Sequence, residues 1–207
     1  MCLWAQNAPV PEAPAGKGLP PRTGPADYQA QAKAGAVIIA ADFEQHSLPT
    51  LEGSPLTNEN YVVVEVALFG QPGARLQLSP NDFSLRINGR KTPQPAQPYG
   101  LVVHDVKDPE WQPPEPRGPK ASKSAISTGG DSAAGEPAPS PTPVKIPVEV
   151  QRGWALRVQK ATLPEGDRAL PVAGALYFDF RAKANKIHSV ELIYAGPAGK
   201  ATLALQP

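Results

Sequence analysis

Hydrophobic and polar positions fall into short runs between residues 35 and 105 and again from 148 to the carboxyl end, with turn residues between them. "NYVVVEVALFG" has apolar side chains at nearly every position, and its β-branched run Val62, Val63, Val64 and Val66 predicts a strand covered on both faces, ended by Gly70. "AGAVIIAADFEQ" predicts a second strand. In "NDFSLRINGRKTP" the alternation is regular: Phe83, Leu85 and Ile87 point one way, and Asp82, Ser84 and Arg86 the other. Asn88-Gly89 then supplies the two left-handed residues of a tight hairpin turn. "YGLVVHDV" reads as a weaker strand between Pro98 and Pro109.

Period two returns near the carboxyl end. Leu176, Phe178 and Phe180 share a face opposite Tyr177, Asp179 and Arg181, and Val190, Leu192 and Tyr194 repeat the pattern. Pro197-Ala198 with its flanking glycines turns the chain, and Leu203 and Leu205 face inward again. "VEVQRGWALRVQKA" fits both periods. Val150, Trp154, Val158 and Ala161 have helical spacing, whereas Val148, Val150, Trp154, Leu156 and Val158 alternate. Length and composition favour a short helix over 148–161 after Pro147, despite Gly153. The sum is a mainly all-β fold, an antiparallel sandwich of seven or eight strands, with a closed barrel as the competing arrangement.

Composition divides the 207 residues into folding and non-folding parts, because nineteen of the 27 prolines fall in 9–25 and 93–147. Proline at that density removes backbone donors and suits extended, solvated chain. Residues 6–34 read as a Pro/Ala-rich disordered tether, and 109–147 as a disordered Pro/Ser/Gly-rich insertion within a single domain spanning 35–207. Residues 1–5 resemble the end of a signal peptide, with Met1 an internal start, which points to a secreted or periplasmic protein. Cys2 is the only cysteine, so a chain cut after Ala5 has neither disulfide nor thiol chemistry. Twenty basic and nineteen acidic residues are interspersed, without the basic stripe that nucleic acid or an anionic membrane surface requires. No apolar stretch of membrane-spanning length occurs.

With these elements in place, the order of motifs resembles the telokin-like, immunoglobulin-like extracellular domains of bacteria. A valine-rich strand precedes Asp82, Phe83, Leu85 and Gly89, and a turn at Leu163, Pro164, Glu165 and Gly166 precedes Gly174 and Phe178. Glutamate and glycine stand in transposed order relative to that family, and the Pro-rich insertion departs from its pattern. The resemblance covers about residues 60–92 and 160–206 and implies an immunoglobulin-like sandwich, secretion and no cofactor, with function mostly unassigned.

Candidate chemistry is sparse. "HDVKDPEW" places His104, Asp105, Asp108 and Glu110 beside Trp111, a set that a hydrolase or a hard cation could use if the side chains converged. An extended segment directs consecutive residues apart, so a solvated strand end is the simpler reading, with Trp111 as an anchor for a partner. His46 and His188 lack a nucleophile or ligand context, and no Gly-x-Ser-x-Gly or phosphate-loop motif occurs. "LPEGDRALPVAGALYFDF" reads as a turn rimmed by Glu165, Asp167 and Arg168 that feeds a core strand, not as an active-site loop. The expectation is a non-enzymatic module without metal or cofactor that binds an envelope or extracellular protein through a sheet edge or through Trp111, His104, Asp105 and Tyr177. Two alternatives remain: a carbohydrate or small-ligand module using Tyr61, Tyr99 and Tyr177, and a hydrolase using His104, Asp105 and Asp108.

Overall fold

The computed structural model describes residues 17–113 and 146–207. The expected signal-peptide remnant, residues 6–16 of the expected tether and most of the insertion lie outside these residues.

The valine-rich strand is the centre of the molecule. β5 (Tyr61–Phe69) pairs with β2 (Val37–Gln45) on one side and β10 (Val172–Asp179) on the other, and β1 (Ala30–Ala34) adds to β2, giving the sheet order β1-β2-β5-β10. The second sheet has the order β12-β11-β7-β8, from Gly199–Leu205, Val190–Gly196, Phe83–Ile87 and Gln94–Pro95. Two short ladders complete the strands: β3 (Ser47–Leu48) with β4 (Leu56–Thr57), and β6 (Arg75–Leu78) with β9 (Gly166–Ala169). Every ladder is antiparallel. The predicted mainly-β class therefore holds.

The two larger sheets share one apolar core. Ile39, Val62, Val64, Val66, Leu176 and Phe178 meet Phe83, Leu85, Ile87, Val190, Leu192, Tyr194, Leu203 and Leu205, all buried. β7 and β11 alternate buried with half-exposed positions, so the far face of the second sheet meets water. β5 differs: Val62 to Leu68 are all buried, as the unbroken apolar run predicts. Its second face is covered by α2 (Val148–Ala161), which settles the ambiguous segment as helix. Trp154, Val158 and Ala161 are its buried residues. Thr162 leaves the helical conformation, and its amide and hydroxyl both donate to the Val158 carbonyl, at 3.1 and 2.9 Å.

Three expectations fail, the first being the count: twelve strands, some of them only two residues long or paired in short ladders, form among the described residues where seven or eight were expected. "YGLVVHDV" is not a strand: Tyr99–Val102 form the helical turn α1, followed by a 3-10 turn over Val103–Asp105. Burying Val102 and Val106, four residues apart, beneath α2 outweighs the β preference of the valines. The tether also ends earlier than expected. Leu19 and Tyr28 are buried, and Ala30–Ala34 is a strand although it contains no β-branched residue. Gly35, with φ of 58°, makes the two-residue turn that folds this stretch back onto β2, and pairing overrides weak local propensity.

Turn chemistry agrees elsewhere. Asn88 and Gly89 have φ of 53° and 64°, and the Arg90 amide closes the turn on the Ile87 carbonyl at 3.3 Å. At Gly174 the backbone of Leu163 passes so close that a Cβ would lie 2.4 Å from the Leu163 Cα. That approach lets the Leu163 amide donate to the Ala175 carbonyl at 3.0 Å.

Opposite signs are expected at two glycines. Gly174→Ala forces backbone apart and lowers unfolding free energy by about 2 kcal/mol or more. Gly153→Ala, with nothing within 4 Å of the new methyl group, raises it by roughly 0.5–1 kcal/mol. Urea denaturation of the two variants checks both.

Candidate functional site

The outer face of the first sheet collects the polar residues that sequence reading singled out, and it distributes them. Asp105 Oδ2 accepts from Asn60 Nδ2 at 2.8 Å. Asp108 Oδ2 accepts from Arg157 Nη1 at 3.3 Å, while its Oδ1 accepts the Glu110 amide at 3.0 Å. Glu110 Oε1 accepts from the Ser54 hydroxyl, and Arg157 Nη2 donates to the Ser54 carbonyl. Lys107 Nζ reaches Glu59 at 2.8 Å. Each carboxylate thus has a different neighbour, and the group ties α2, the 50–54 loop and the 107–111 segment together. Among the described residues no set of three His, Cys, Asp or Glu could hold a metal ion.

Tyr177 corrects an expectation. It does point away from the main core, as alternation predicts, but only 1% of it is exposed, because α2 lies over it. Its hydroxyl donates to the Val158 carbonyl at 3.2 Å and lies 3.2 Å from Thr162 Oγ1. Burial pushes this phenol well above its ordinary pKa. Such a side chain cannot contact a partner. Tyr61, Tyr99 and Trp111 are half-buried against the same cluster, so the three tyrosines do not form an exposed aromatic row. Trp111 stands edge-on to Trp154, with ring centroids 6.1 Å apart and planes at 89°. His188 is exposed, and its amide donates to Asn88 Oδ1 at 2.7 Å. His46 directs Nδ1 at the carbonyls of Asn58 and Tyr61, at 3.0 and 2.9 Å, and Nε2 at that of Ala182, at 3.1 Å.

Of the predicted cluster, His104 lines a groove. A shallow groove of ≈ 270 Å³ runs between the turn at Val103–Val106 and the first half of α2, with Ile146, Val148, Gln151, Arg152, Trp154 and Ala155 opposite. Val148 is 54% exposed, and nearby Leu101 on α1 is 48% exposed. These are among the few large apolar side chains left to solvent, as is Leu156 further along α2.

Sequence reading missed a second polar cluster entirely. Arg22 Nη2 pairs with Asp42 and lies 3.4 Å from Glu65 Oε2, and the guanidinium sits over the Tyr28 ring, 4.3 Å from its centroid. Asp42 and Glu65 are cross-strand partners, and Glu44 lies at a register shift between Phe43 and Gln45. Burial raises the Glu65 carboxyl above its ordinary range, with Arg22 partly offsetting it; burial and then Asp42 raise Glu44. One signal was present: Glu65 interrupts the valine run, where an acidic residue needs a partner.

Comparison with protein-family models, with curated proteins and with solved structures gives no match to this chain.

Two stability effects follow from these clusters. A carboxylate whose folded pKa is raised holds its proton longer folded than unfolded, so its contribution to stability declines as pH rises through that window. Glu65→Gln should therefore melt above the unmodified protein at neutral pH, with the gap closing below the ordinary carboxylate range. A lower melting point at neutral pH would mean that the Arg22 attraction dominates. Arg157→Met should cost about 2–3 kcal/mol in chemical denaturation, because Asp108 is left largely buried without its ion partner.

Proposed function

We propose that this chain is a non-enzymatic, immunoglobulin-like interaction module of the bacterial periplasm or exterior whose partner is another protein. The observation that carries this reading is the contrast on one face. The carboxylates of the 104–111 segment are engaged within the molecule, while Val148 stands exposed on the wall of an open groove and Leu101 is exposed on α1. Exposed apolar side chains around a concavity suit protein recognition better than they suit solvent. The immunoglobulin-like assignment rests on the motif order, together with two four-stranded antiparallel sheets around one core. Periplasmic or extracellular location rests on the family resemblance.

Two features weigh against the other expectations. Divergent partners for Asp105 and Asp108 disfavour a paired-carboxylate hydrolase. A buried Tyr177 removes one of the three aromatics on which a carbohydrate platform would depend.

The partner site within this reading is the α1/α2 face and not the β10 edge of the first sheet. Three amides bond along the free side of β10: Leu19 to Ala173, Leu163 to Ala175 and Gln97 to Tyr177, at 2.9, 3.0 and 2.7 Å. That edge has no open row of acceptors for an added strand. A photo-cross-linking amino acid placed at position 148 in the producing cell should give a discrete protein adduct in the envelope or secreted fraction. The same probe at the solvated position 202 on β12 should give none. Equal labelling from both positions, or no adduct from 148, would overturn the proposal.

A further inference from the structure

We infer that the groove between Val103–Val106 and the first half of α2 takes an acidic, apolar peptide segment of the partner, seating an apolar side chain next to a carboxylate. This rests on the interaction-module reading and adds the chemistry of what is bound.

Size sets the first limit. At ≈ 270 Å³ and open to solvent, the groove lies at the lower end of the roughly 300–1,000 Å³ clefts that enclose a whole small molecule. It suits one or two side chains entering from a chain outside. Its floor and walls give them apolar contact through Val103, Val106, Ile146, Val148, Trp154 and Ala155. Trp154, 6% exposed and held edge-on by Trp111, closes the floor of the groove as part of the core beneath it.

Charge sets the second limit. Among the described residues, the ionisable side chains lining the groove are Arg152 and His104, and no carboxylate lines it. Asp105, next to His104, is bonded to Asn60. Arg152 is exposed and makes no ion pair among the described residues, whereas Arg157, five positions on, is held by Asp108. Two nitrogen donors above an apolar floor complement a carboxylate beside an apolar side chain, and they disfavour an ammonium there.

The test is a titration of the full-length ¹⁵N-labelled chain with two end-blocked peptides. Both have a central Leu-Phe pair, flanked by two Glu residues on each side in one and two Lys residues in the other. The acidic peptide should shift amide resonances of 103–106 and 146–155 and bind about tenfold more tightly than the basic one at low salt, because several modest charge terms change sign together. Added salt should narrow the difference. The double variant Arg152→Glu, His104→Glu should reverse the preference, and Val148→Asp should weaken both peptides; all three sites are exposed, and melting curves verify that the variants fold. Equal affinities, preference for the basic peptide, no binding, or shifts confined to another surface would each overturn the inference. So would sedimentation showing that a second copy of the chain occupies the groove. An adduct from position 148 without acidic preference would overturn this inference and leave the interaction-module proposal standing.

Discussion

One strand with no polar side determines the rest of the molecule. β5 buries every residue from Val62 to Leu68, and β10 buries every residue from Val172 to Phe178. A sheet built on such strands needs cover on both faces, since each exposed Val or Leu would forfeit roughly 1.5–3 kcal/mol of burial. The second sheet covers one face. Among the described residues no third four-stranded sheet remains for the other, so it is covered by separate pieces: α2, the turns at 99–106, the short β3–β4 ladder and residues 17–28. The second sheet carries no such demand, because its strands alternate and turn a polar face to water.

Cover assembled from pieces requires polar fastening, which explains where the charged groups lie. Arg22 holds the amino-terminal piece to Asp42 and Glu65. Arg157 holds α2 to the 107–111 segment and the 50–54 loop. Asn58, fully buried, donates from Nδ2 to the Val102 carbonyl at 2.7 Å and fastens α1. Residues that resemble a reactive cluster in sequence are thus spent as ties between covering segments. Where two pieces meet without complete closure, at the 103–106 turn and α2, the groove remains.

The legible part of the fold was the part governed by period. Phe83, Leu85 and Ile87, and Val190, Leu192 and Tyr194, declare their buried face because one side of their sheet meets water. Asn88-Gly89 was legible because the turn's backbone geometry leaves few alternatives to glycine and asparagine there, whereas the close approach at Gly174 was not. β1 was not legible: "AQAKA" has no β preference and forms only because β2 offers a register. The turn at 99–105 was misread because valines favour strands until a buried site four residues apart is available. Tyr177 shows the limit of alternation. Its side was right, but "away from the core" meant a second core beneath α2 and not solvent. The Arg22 cluster joins residues twenty to forty-three positions apart, a separation that local pattern does not encode.

Hydrogen exchange on Trp154→Ala tests most directly whether the outer cover of the first sheet is integral to its stability. Trp154 packs α2 against Val63, Ala175 and Tyr177, and removing it should cost about 3–5 kcal/mol. If the cover and the sheet form one cooperative unit, amides of β5 and β10 should lose protection together with those of α2, by similar free energies. Loss of protection confined to α2, with β5 and β10 exchanging as before, would contradict the account.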